Sequence, residues 1–165
     1  MQLTMKSVFL VFFFVAGCAK SIEPDTSLGR IIINDNIDGV KLGDNDTTVI
    51  QKIGEPSSKI FPAFPALIFA YNQGVHATMS TIIYYQNATP SGVRSITVSS
   101  PYQGKTQEGI GIGSSRNYVV SKLGNPTESV KVDGVLFDRY VLEKSIFEIG
   151  YDTVFVRSLG LLTKN

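Results

Sequence analysis

The sequence predicts an α+β fold of two tandem repeats, each a short helix followed by an antiparallel meander of about four strands. Three observations lead there. A stretch of 18 residues recurs, the hydrophobic period changes from about four to two after each occurrence, and turn-forming residues separate the period-two runs.

The recurrence carries most of the weight. Residues Gly39 to Pro56 align without a gap on Gly109 to Pro126, with six of 18 positions identical and four exchanging one aliphatic residue for another. Within each copy, Asn45 or Ser115 is placed to cap a helix by accepting a backbone N–H bond. Val49 and Ile53, or Val119 and Leu123, lie four apart on one face. Gly54 or Gly124 then ends the helix in a left-handed conformation, and Pro56 or Pro126 prevents its resumption.

The strands follow. After the first helix they are expected at Ser58 to Phe61, Leu67 to Tyr71, Thr78 to Tyr85 and Gly92 to Ser99. After the second they are expected at Glu128 to Val132, Arg139 to Glu143, Ser145 to Tyr151 and Val154 to Leu162, with Asp133-Gly134 and Asp152-Thr153 as tight turns. Val93-Arg94-Ser95-Ile96 echoes Val156-Arg157-Ser158-Leu159 in the last strand of each set.

The segments outside the repeats read differently. Lys6 is followed by the apolar run Ser7 to Val15 and then Ala16-Gly17-Cys18, a signal-peptide layout whose run is too short for the ~20 residues of a membrane span. Val15-Ala16-Gly17-Cys18 resembles the lipobox of bacterial lipoproteins. That resemblance implies removal of residues 1–17 and lipid on Cys18, the chain's one cysteine. Residues 18–36 are the lipidated N-terminus and tether, flexible from Ala19 to Leu28 by its Ser, Pro and Asp content. The first repeat occupies 37–100, a linker 101–108, and the second repeat 109–165.

Composition narrows the function. Hydrophobic residues make up 43% of the 165 and charged residues 18%, as in ordinary globular proteins. Fifteen lysines and arginines stand scattered against 14 acids, which argues against a nucleic-acid partner. With one cysteine and one histidine, neither a disulfide nor a Cys/His metal site can form, and no cofactor or metal is expected.

Catalytic arrangements are weak. His76 is the one histidine on which a triad could be built, and it sits in an expected hairpin turn. Gly109-x-Gly111-x-Gly113 is better explained by turn geometry than by phosphate binding, since Lys41 takes the middle position in the first copy. Gly104-Lys105-Thr106 lacks the earlier glycine of a phosphate loop. Asp44, Asp46, Glu55, Glu128, Asp138, Glu143 and Glu148 stand in no diagnostic pair. Arg94 and Arg157 recur in equivalent strands and are expected to form one structural ion pair each. The protein is therefore not expected to be an enzyme.

Aromatic residues are the candidate binding groups. Phe64 lies in a proline-broken apolar stretch, Phe61 to Phe69, that either fills the seam between repeats or forms an exposed patch. Tyr71, Tyr84, Tyr140 and Phe147 fall in strands whose period does not assign the inner face.

The repeat motif, Gly followed by a capping residue, a valine and Leu/Ile-Gly-x-Pro, resembles that of the SmpA/OmlA-type outer-membrane assembly lipoproteins. Its tandem use is similar to the β-lactamase-inhibitor-protein fold. The resemblance covers Gly39 to about Leu162, but the assembly lipoproteins carry one copy, and the inhibitors carry disulfides that this chain cannot form. It implies a lipid-anchored, non-catalytic module that binds another envelope protein in outer-membrane or envelope assembly, or else an inhibitor that docks on an enzyme such as a β-lactamase or another envelope hydrolase. Ala19 after the cysteine, in place of the aspartate that retains lipoproteins at the inner membrane, favours an outer-membrane location facing the periplasm.

Overall fold

The computed structural model describes residues 29–60, 66–71, 79–85 and 92–164. Its class is α+β, with two helices and strands in two sheets. The strands and helices in order are β1 (Arg30–Ile32), β2 (Asn36–Ile37), β3 (Val40–Lys41), α1 (Asp46–Ile53), β4 (Ser58–Ile60), β5 (Ala66–Ala70), β6 (Met79–Tyr85), β7 (Gly92–Ser99), β8 (Lys105–Thr106), α2 (Arg116–Leu123), β9 (Glu128–Val132), β10 (Val135–Val141), β11 (Ser145–Asp152) and β12 (Phe155–Thr163).

The larger sheet has eight strands in the order β4-β5-β6-β7-β12-β11-β10-β9, antiparallel throughout, so β4 and β9 are its edges. A smaller sheet, β3-β2-β1-β8, joins β1 to β8 in parallel.

Both helices start and stop where their residues dictate. The Asn45 side chain accepts from the Thr48 N–H and Ser115 from that of Tyr118. Gly54 and Gly124 end the helices at φ of 82° and 78°, but with ψ of −177° and −168°. This is the extended region at positive φ that is essentially reserved for glycine, not the left-handed helical region expected from the sequence.

The core lies between the helices and one face of the large sheet. Val49 and Ile53 of α1 and Val119 of α2 are buried in it. Tyr140, Phe147, Leu161 and Ile96 pair in register across four adjacent strands and form a continuous buried row. The small sheet covers the same side: Ile31, Ile37 and Val40 belong to the same cluster as that row.

Several boundaries differ from the sequence reading. Residues 30–36, assigned to the tether, are folded, with Ile31 and Asn36 buried and Asn34 Oδ1 accepting from Lys144 N (3.0 Å) and Ser145 Oγ (3.2 Å). The stretch 101–108 is not a free linker either, since it holds β8 and the buried Tyr102 and Thr106. Strands this short show no period, and β1 pairs in parallel with β8, which begins 75 residues later. Strand β10 begins at Val135, directly after the Asp133-Gly134 turn, rather than at Arg139. The last hairpin turns at Thr153-Val154, with Asp152 paired to Phe155 inside the ladder.

Candidate functional site

Alternation along each strand leaves the second face of the large sheet clear of the helices, and the register assembles it into three rows. The first row runs Glu128, Arg139, Glu148, Gly160, Thr97. The second runs Val130, Phe137, Gly150, Ser158, Ser99, and the third Val141, Ile146, Leu162, Ser95. Three of the exposed large apolar side chains stand on this face: Ile60, Val132 and Val141 at 48%, 50% and 44% exposure. They stand at the two edges of the sheet, Ile60 on β4 and Val132 and Val141 on β9 and β10.

The middle of the face is shaped by glycine. A β-carbon at Gly150 would fall against Ser158 Oγ and 2.9 Å from the Phe137 ring, so Phe137 lies down over its cross-strand partner instead of standing out. The result is an aromatic ring lying flat on the sheet, with Ser158 on the far side of Gly150.

Charge on this face is arranged across strands. Arg139 Nε donates to Glu148 at 2.7 Å, and its Nη1 lies 3.5 Å from Glu128. Hydrogen bonding to Glu148, more than any other influence, raises the Arg139 pKa further. Glu148 is mostly covered, but the Glu128 side chain is 54% exposed. The triad therefore carries a net negative charge at its outer end.

Beneath α2, on the helix side, sits a buried polar cluster. Asp138 is fully buried and accepts from Arg116 Nε (2.8 Å), Arg116 Nη2 (3.1 Å) and Ser129 Oγ (2.6 Å). Burial alone would raise this carboxyl's pKa. The Arg116 and Ser129 hydrogen bonds and the arginine charge outweigh it and hold the pKa below the ordinary value. The Tyr151 hydroxyl is buried beside this carboxylate without a well-aligned partner, and burial pushes its pKa up. The cluster fastens the start of α2 to β9 and β10; its carboxylate is fully covered, while the Arg116 side chain is 38% exposed.

The expected binding residues divide. Tyr71, Tyr140 and Phe147 are core residues, which corrects their reading as partner contacts. The two tyrosines donate to the carbonyls that end the helices, Tyr71 to Gly54 O (3.1 Å) and Tyr140 to Gly124 O (3.2 Å), so their place is fixed by the helix termini. Tyr84 lies in β6 opposite Leu67 and Val93. Phe64, His76 and Cys18 lie outside the described residues.

Arg94 and Arg157 have no ion-pair partner among the described residues, contrary to expectation. Each is the extra residue at a register shift, Arg94 between the pairs of Tyr84 and Ile83 and Arg157 between those of Tyr151 and Gly150. Their recurrence follows from the bulge. Among the described residues no group of three or more His, Cys, Asp or Glu is placed to hold a metal ion.

The sequence signal for the open-face residues is the Asp133-Gly134 turn, which pairs Val132 with Val135 and so sets Val130 opposite Phe137.

No family model matches the chain, and no curated protein matches it in sequence. Its fold is similar to three solved structures. An extracellular protein containing an SCP domain from Bacillus anthracis has 17% identity and a TM-score of 0.55, covering 74% of this chain and 44% of its own. A DUF4309 family protein from Bacillus subtilis has 12% identity and a TM-score of 0.55, covering 78% and 84%. A cysteine-rich secretory protein from Staphylococcus aureus has 14% identity and a TM-score of 0.53, covering 74% and 43%. The chain thus corresponds to less than half the length of the first and third. Among the described residues no helix is long and apolar enough to cross a membrane.

Proposed function

We propose that the chain is an extracytoplasmic lipoprotein, anchored by lipid on Cys18, that uses the open face of its eight-stranded sheet to bind another protein of the cell envelope without catalysing a reaction. The observation that carries this reading is the face itself: exposed Val132 and Val141, the recumbent Phe137 and the half-free Glu128 lie on one continuous surface. Apolar side chains around a few oriented charges are the usual composition of a protein-binding surface. The Cys18 motif supplies the address. Two structural neighbours, an extracellular protein and a secretory one, agree with an exported chain. In a cell with two membranes the anchor is placed at the outer one, facing the periplasm.

In this reading the two halves are copies of one unit. Supporting it, the loop before each helix is held by equivalent bonds: Gly43 N to Val93 O and Gly113 N to Val156 O, both 2.8 Å, then Val93 N to Asp44 O and Val156 N to Ser114 O at 2.9 and 2.8 Å. Two copies joined through β7 and β12 give a surface twice as wide as either alone.

The test is cross-linking in intact cells followed by affinity capture. Wild-type protein is expected to bring down one reproducible envelope partner, and the double variant Val132→Glu, Val141→Glu to lose it while keeping its melting temperature. A wild type that captures no reproducible partner, or a double variant that captures it undiminished, removes the reading. An inhibitor would use the same face; loss of activity of a captured hydrolase on adding the soluble domain distinguishes that outcome from assembly.

A further inference from the structure

We propose that the outer face of the small sheet is the membrane-facing surface of the anchored protein, resting on anionic lipid headgroups through Arg30 and Lys105. This rests on the lipid-anchor reading above and adds an orientation to it.

The layers dictate which way each face looks. Ile31, Ile37, Val40 and Thr106 point inward from the small sheet and are buried. Ile31, Ile37 and Val40 share one core cluster with Phe147, Leu161 and Ile96 of the large sheet. Ser145, whose side chain lies on the helix side of β11, donates to Asn34 in the turn between β1 and β2. The small sheet therefore stacks on the helix side, and its outer face looks away from the open face of the large sheet.

The chain that follows Cys18 enters the domain at the small sheet. Strand β1 begins at Arg30, and only ten residues separate Cys18 from Gly29. Even fully extended they reach no more than about 40 Å, so the lipid holds the start of this sheet within that distance of the bilayer.

The chemistry of the face suits an anionic surface. Arg30 and Lys105 are parallel register partners, so both side chains project outward side by side, and neither has an acidic partner among the described residues. Ile32 stands beside them, 38% exposed. Of the nearby acids, Asp35 is paired with Lys41 at 3.0 Å, Asp38 is buried and accepts from the Tyr102 hydroxyl and the Arg30 backbone N–H, and Glu108 is exposed and lines the same groove as Arg30 and Ile32. Two adjacent like charges repel each other in isolation; an anionic surface relieves that repulsion.

The experiment uses the mature chain from Cys18 to Asn165 without lipid, mixed with vesicles of phosphatidylglycerol and phosphatidylcholine or of phosphatidylcholine alone, at about 20 mM salt, where screening is weak. Each cation near such a surface is worth about fivefold in partition. Arg30→Gln or Lys105→Gln is expected to lower partition onto the anionic vesicles about fivefold, and the double variant roughly 25-fold. Lys131→Gln, on the edge strand β9 and on the helix side of the large sheet, should lower it by less than either.

Melting temperatures confirm that the variants fold. The proposal is overturned by absent partition onto the anionic vesicles, by equal partition onto phosphatidylcholine, or by Lys131→Gln matching Arg30→Gln. The mass of mature protein purified from cells reports the lipid separately. An unmodified Cys18 together with salt-sensitive partition would remove the anchor and leave this surface standing.

Discussion

Replacing Arg116 by alanine strips a fully buried carboxylate of its one cationic partner among the described residues. Removing one member of a buried pair costs about 3–5 kcal/mol when both are enclosed. Here the Arg116 side chain is 38% exposed, so water already screens part of the attraction, and Asp138 keeps the Ser129 hydrogen bond. The expected loss at pH 7 is therefore about 2–3 kcal/mol, or on the order of 5–10 °C in melting temperature for a chain of this size.

The pH dependence of this variant should invert. In the wild type the folded pKa of Asp138 lies below the unfolded value of 3.8, so its contribution is present above that pH and is lost as the pH falls through the folded pKa. Without Arg116, burial becomes the dominant influence and raises the folded pKa above the unfolded one. The ionised group then costs stability at neutral pH, and the cost fades as the pH falls and the carboxyl takes up a proton. Urea unfolding followed by far-ultraviolet circular dichroism between neutral pH and the carboxylate range measures both effects, since the chain has no tryptophan to report. The gap between wild type and variant should narrow toward acid. A variant within about 0.5 kcal/mol of wild type at pH 7, or a gap that widens in acid, would refute the assignment of Arg116 as the group that keeps Asp138 ionised.

Tyr71→Phe and Tyr140→Phe each remove one hydrogen bond to a helix-terminal carbonyl while keeping the ring in the core. Each should cost about 0.5–1.5 kcal/mol in urea unfolding, and the two losses should be similar. Asn45→Ala and Ser115→Ala each delete a helix cap and should cost about 1 kcal/mol, measured the same way; a loss confined to one helix would show that the caps do not act alike. Gly150→Ala places a methyl group under the Phe137 ring and should destabilise by about 1–3 kcal/mol. It should also shift the Phe137 ring resonances in NMR spectra, and an unchanged Phe137 environment would contradict the description of the open face.

What could be read from the sequence is what short-range chemistry dictates. Asn45, Ser115, Gly54 and Gly124 place both helices because a cap and a positive-φ stop act within four residues. Strands such as Glu128–Val132 and Gly92–Ser99 follow from period two between turn residues. The faces of β10 did not follow, because its two alternating sets are almost equally apolar: Leu136 and Tyr140 flank Asp138 on one side, and Val135, Phe137 and Val141 flank Arg139 on the other.

An aspartate in the buried set argues for the wrong face unless its counter-ion is known. That counter-ion, Arg116, is 22 residues away on another element. Period two therefore assigns neither Tyr140 nor Phe137 to a face; in the fold Tyr140 is buried and Phe137 lies on the open side. The small sheet escaped for a related reason, since β1 pairs with a strand that begins 75 residues later.

The most direct test of the open face as the partner surface is photo-cross-linking in living cells, with a light-activated residue placed singly at Val132, Val141 or Ile60 and, for comparison, at Tyr118 or Ser121 on the outside of α2. A discrete adduct to one envelope protein from the three sheet positions, and none from the two helix positions, is the predicted result. Adducts from the helix positions with silence from the sheet positions would contradict the account.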